Sequence, residues 1–89
     1  MKSDGPNVDS KQFVGTASKL LSNPADDSEV TATLASLLPQ ALCAAISSAR
    51  TGLNSELVSW TLAHLTGQLG GFTQVCEVNV AITAKAGST

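Results

Sequence analysis

The sequence predicts an all-α fold: a small bundle of about four helical segments around a central apolar helix, forming a homodimer. Three observations point there. Apolar residues recur at helical spacing in three separate stretches. Helix-start and helix-stop residues bracket those stretches. Charged residues are only 13% of the 89, against 43% hydrophobic, which leaves too little charge to coat a soluble monomer. A chain of this size builds one modest core and gains stability by self-association or by a disulfide.

Taken in order, Met1 to Asn7 has no periodicity and contains Gly5-Pro6, so residues 1–7 read as a flexible leader. A single helical domain is expected over 8–85, with a frayed tail at 86–89. Asp9 or Ser10 opens the first helix, whose stripe is Phe13, Ala17, Leu20 and Leu21, and Asn23-Pro24 ends it. Asp26 then caps a second segment, with Glu29 three residues on in the manner of a capping box. Val30, Leu34, Leu37 and Leu38 form its apolar stripe, and Leu42, Ala45 and Ile46 extend it beyond Pro39. Proline in a helix interior removes a hydrogen bond, so a break or sharp kink is expected near Leu38. Thr51-Gly52 closes the segment.

Leu53 to Gly70 reads as the central helix, with Asn54 or Ser55 as its cap and Gly70-Gly71 as its stop. Val58, Leu62, Leu65 and Leu69 lie on one helical face, and Leu57, Trp60 and Ala63 widen it. Leu57, Trp60, Leu62, Leu65 and Leu69 are therefore the predicted core. Glu56 and His64, eight residues apart, break this apolar surface and require partners. Past Gly71 the pattern changes to alternation, with Val78, Val80 and Ile82 on one side and Asn79, Ala81 and Thr83 on the other. Phe72–Lys85 reads as a short strand, which a second chain would pair, with a short helix as the competing reading.

Little in the chain carries catalytic chemistry. The single histidine and two distant cysteines have no zinc-ligand spacing. Cys43 sits in the apolar run Leu42–Ile46, an environment that keeps a thiol inert. Cys43 and Cys76 permit one disulfide or two free thiols. A net charge of −2 and no Lys/Arg cluster argue against nucleic acid, and no uninterrupted apolar run approaches a membrane span. No enzyme activity, cofactor, metal, membrane partner or small-molecule substrate is expected.

Three ordered blocks resemble the carboxy-terminal non-repetitive domain of the spidroins, the spider silk proteins. ASKLLSNPADDSEV is similar to the family's first block, SSARTGLNSELVSWTLAHLTGQL to its central helix, and FTQVCEVNV to the segment after it. Together they cover Ala17 to Val80. The resemblance implies a secreted homodimeric bundle of silk gland and fibre, which keeps silk chains soluble in storage and responds to pH and salt as fibre forms. It also implies two salt bridges, Lys19–Glu56 and Glu29–His64, the second with its signs exchanged relative to the family. In that pair a protonated His64 would tighten the domain on mild acidification. Ser55 stands where the family has its inter-chain cysteine, and the family's long last helix is mostly missing. Two other classes compete with this reading: a small helical carrier of an apolar ligand, and a docking module for a non-identical protein partner.

Overall fold

The computed structural model describes residues 10–87 and corrects the fold class: the protein is mixed α/β, with one long helix on a three-stranded antiparallel sheet, not a helix bundle. The element order is β1 (Lys11–Leu20), α1 (Asp27–Leu53), β2 (Val58–Gly70) and β3 (Val75–Ala86). The last strand lies in the middle, in the order β1-β3-β2, so β1 and β2 are both edges. The leader assigned to residues 1–7 lies outside the described residues. At the other end Ala86 belongs to β3, and the Gly87 amide donates to the Leu57 carbonyl at 2.7 Å, so the expected fraying does not begin at 86.

β1 occupies the stretch expected to be the first helix. Its centre is Val14-Gly15-Thr16, two β-branched residues around a glycine, which suits a pleated strand and weakens a helix. In register with β3, Phe13, Gly15 and Ala17 face the helix while Val14, Thr16 and Ser18 face away.

α1 joins the second and third predicted segments into a single helix of 27 residues. Asp26 caps it as expected, its carboxylate accepting from the Ser28 amide at 3.0 Å and the Glu29 amide at 3.5 Å. Pro39 does not break it. Proline deprives the carbonyl four residues back of its donor, and both Pro39 and Ala35 are exposed, so water can serve that carbonyl. The helix ends at Asn54, whose left-handed backbone (φ 52, ψ 49) terminates the turn that the sequence assigned to Gly52. By length and composition α1 is also long and apolar enough to cross a membrane, with a mean hydropathy of 1.5 over its most apolar window. Here it lies along the sheet.

The contact between them is made of small residues. Thr33, Leu37, Ala41, Ala45 and Ala49 recur every four residues and are all buried, forming one ridge along the helix. Ala41, Ala45 and Ala49 are fully shielded from solvent. Gly15 lies beneath this ridge. A β-carbon there would overlap the backbone of Ala41 and Ala45, so only glycine allows the helix so close to β1. The core is completed by Leu21 and by the inward side of β3: Cys76, Val78, Val80, Ile82 and Ala84. The alternation read in the sequence for Val78, Val80 and Ile82 is thus the central strand, and its partners are β1 and β2 of the same chain.

β2 occupies the predicted central helix. Gly70 and Gly71, both at positive φ (93 and 80), do not stop a helix but turn the chain into the β2–β3 hairpin. Gln74 completes the turn at φ 50, its amide donating to the Gly71 carbonyl at 3.2 Å and its carbonyl accepting from Leu21 at 2.7 Å.

Candidate functional site: an uncovered edge strand and apolar groove

α1 is docked over β1 and β3 and barely touches β2. Among the described residues the inward side chains of β2 are left largely without a roof, Val58 alone packing against the core. They are Val58, Trp60 and Leu62 on one side of an irregularity, and Leu65, Gly67 and Leu69 on the other. The register passes from Leu62 opposite Ile82 to His64 opposite Ala81, so Ala63 is an extra residue, a β-bulge that changes the parity of the strand.

Leu57, Trp60, Leu62, Leu65 and Leu69, expected as the core of a central helix, are instead 41–52% exposed. Leu34 and Leu38 on the adjoining flank of α1 are 36% and 39% exposed. Between flank and strand run two apolar clefts. One, of about 390 Å³, lies among Val30, Leu34, Leu38, Leu65, Leu69 and Val78. The other, of about 380 Å³, lies among Leu38, Pro39, Leu42, Trp60, Leu62 and Leu65. They share Leu38 and Leu65, so they are two parts of one groove.

The free edge of β2 has no guard. Its 13 residues, VSWTLAHLTGQLG, include no Asp, Glu, Lys, Arg or Pro. Edge strands in monomeric proteins are usually blunted by lysine, proline or shortness. The opposite edge follows that rule, since β1 carries Lys11 and Lys19 near its two ends. Beyond the bulge, nothing of the kind protects β2 among the described residues.

The outer face of the sheet is different in character. Rows of polar side chains cross it, neutral except for Glu77: Gln12, Thr83 and Thr61, then Thr16, Asn79 and Thr66, then Ser18, Glu77 and Gln68. Thr16 donates its hydroxyl hydrogen to the Asn79 side-chain oxygen at 2.8 Å. His64 is on this face, exposed, opposite Ala81.

The expected ion pairs do not form. Lys19 is in register with Cys76 at one end of β3, whereas Glu56 precedes Val58, which is in register with Ala86 at the other. That separates them by about 34 Å along the strand. Glu29 uses both carboxylate oxygens on the loop before the helix, accepting from the Ser22 and Asn23 amides at 2.8 Å each. Those bonds hold its carboxyl below the usual glutamate range. The Ser22 hydroxyl and the Lys19 charge add to the effect, and desolvation opposes it. His64 lies on the sheet face away from α1, so Glu29 does not reach it.

Cys43 and Cys76 are free thiols. Cys76 points inward and is 1% exposed; Cys43 lies on the solvent side of α1. Among the described residues no three His, Cys, Asp or Glu side chains gather where a metal ion would bind. The groove residues were visible in the sequence as apolar, but a helical reading assigned them to an interior. Their exposure follows from the offset seat of α1, which depends on Gly15 and the alanine ridge. No protein-family model, curated protein or solved structure matches this chain.

Proposed function

We propose that this chain is an assembly module, a βαββ unit that joins a second copy of itself through β2. The observation that carries this reading is a 13-residue edge strand with no charge or proline, whose inward side chains are half exposed beside an apolar groove. A strand of that length is about 44 Å long. Fully burying a large apolar side chain is worth about 1.5–3 kcal/mol, so each half-exposed one leaves about 1 kcal/mol unused. Trp60, Leu62, Leu65, Leu69, Leu34 and Leu38 together leave roughly 4–9 kcal/mol per protomer. Association costs about 4–15 kcal/mol, so two protomers supply enough. The small net charge of −2 opposes the approach of identical copies only weakly.

Carriage of a small apolar ligand is the second reading. The two clefts, about 390 and 380 Å³, fall within the range of small-molecule sites. A ligand would cover the groove yet leave the outward amides and carbonyls of β2 unpaired, whereas a second strand satisfies both. A role in silk would be one case of self-assembly, but the resemblance rests chiefly on a block that the family uses as its central helix. Here most of that block is the strand β2, so the geometry lends silk no support.

Light scattering on the full chain in reducing buffer tests the proposal. A dimer is expected at about 100 µM, and Leu65→Lys, at a half-exposed position, is expected to yield a monomer with unchanged far-UV circular dichroism. Wild-type protein that stays monomeric at that concentration would overturn it.

A further inference from the structure

We infer that two copies pair their β2 strands antiparallel about a two-fold axis that passes between the two His64 residues. This rests on the self-association proposed above and adds its register. An antiparallel pair must place inward residues opposite inward residues, because side-chain direction alternates along a strand. The bulge complicates this for β2, since its inward positions are Val58, Trp60 and Leu62 before Ala63 but Leu65, Gly67 and Leu69 after it. A pairing centred on the bulge itself would set inward residues against outward ones. With Ala63 skipped, as it is against β3, a centre at His64 sets Val58 opposite Leu69, Trp60 opposite Gly67 and Leu62 opposite Leu65. Every inward residue then meets an inward residue of the copy.

Neighbouring registers do less well. Centring on Leu65 leaves Val58 unmatched, and centring on Leu62 leaves Leu69 unmatched. The favoured register also sets the widest side chain, Trp60, opposite the residue with none, Gly67. His64 is the midpoint of Val58–Gly70, so this pairing uses nearly the whole strand. On the outer face it brings Thr61 opposite Thr66 and Ser59 opposite Gln68, all neutral.

The axis sets His64 directly opposite the partner's His64. Among the described residues nothing charged relieves that pair. Its neighbour across β3 is Ala81, flanked by Asn79 and Thr83. The charged groups of that face, Glu77 and Lys85, are each about 14 Å along β3 from Ala81. β1 contributes Gln12, Val14, Thr16, Ser18 and Leu20 to the face, none of them titratable, and α1 lies on the other side. Like charges directly opposite destabilise a strand pair. An imidazole gains charge when it is protonated, so acidification sets like charges against each other and loosens the dimer. This sign is opposite to that of a Glu29–His64 salt bridge.

Two measurements on the full chain test the register. On a Cys43→Ser background, which removes the exposed thiol, His64→Cys is expected to give a disulfide-linked dimer under mild oxidant. Thr61→Cys and Thr66→Cys are expected to cross-link only when mixed. Sedimentation from pH 7.5 to 5.5 is expected to show Kd rising about two- to fivefold, and His64→Gln is expected to abolish the change. A dimer that cross-links through Leu62→Cys or Leu65→Cys instead of His64→Cys, or whose Kd ignores pH, overturns the register while self-association stands. Wild-type protein that is monomeric throughout overturns both.

Discussion

Replacing Gly15 by alanine adds one methyl group where the helix and β1 are closest. That carbon would overlap the Ala41 carbonyl oxygen and the Ala45 amide nitrogen, and would lie 3.0 Å from the Ala44 side chain. Ordinary contact needs about 3.5–4.0 Å, and the first two obstacles are backbone, so no rotamer change relieves the overlap. The helix must lift by roughly 1 Å or more. Overpacking of this kind costs about 1–3 kcal/mol, and the upper half of that range applies when backbone has to move. Lifting also separates the fully buried Ala41, Ala45 and Ala49 from the sheet, and a gap of 0.5–1 Å forfeits a quarter to a half of each contact's attraction. Against this stands a gain of about 0.4–1 kcal/mol, because alanine narrows the unfolded ensemble. A net loss of about 2 kcal/mol is expected. Urea unfolding followed by circular dichroism, at one fixed protein concentration, should show the midpoint falling by about 1–2 M. A midpoint within the equivalent of about 0.5 kcal/mol of wild type would refute the close seating of α1 on β1.

Two further outcomes concern single side chains. Glu29 has a depressed pKa in the fold, so its stabilisation is complete above its unfolded pKa and is lost as pH falls through the folded one. Glu29→Gln is therefore expected to lower the melting temperature at pH 7, with the difference from wild type shrinking in strong acid; a difference constant with pH would contradict this. For the cysteines, a thiol reagent should modify Cys43 at once and Cys76 only after unfolding, because one is exposed and the other is 1% exposed. Rapid loss of both thiols would mean that β3 is not covered by α1.

The sequence displayed β3 and the capped start of α1 openly. Val78, Val80 and Ile82 alternate without interruption, and Asp26 stands where a cap is required. β2 was concealed by its own bulge. Its inward residues are spaced by two on either side of Ala63, yet Val58, Leu62, Leu65 and Leu69 fall at i, i+4, i+7 and i+11. A strand that changes parity once thus reproduces the spacing of an amphipathic helix. β-branched Thr61 and Thr66 and the paired glycines at the turn were the available counter-signals. β1 misled in a simpler way, since Phe13 and Ala17 lie on one side of a strand as readily as of a helix. Gly15 between them was the residue that favoured extension. The groove was not legible from local pattern, because it arises from where the helix is placed and not from any one segment.

That placement has a consequence of its own. Residues without bulk draw the cylinder toward one border of the platform, and the opposite border goes bare as a direct result. Under the proposed pairing, stickiness is controlled from a distance: a methyl group added beneath the helix, with no change to the exposed strip, would alter how firmly two molecules adhere.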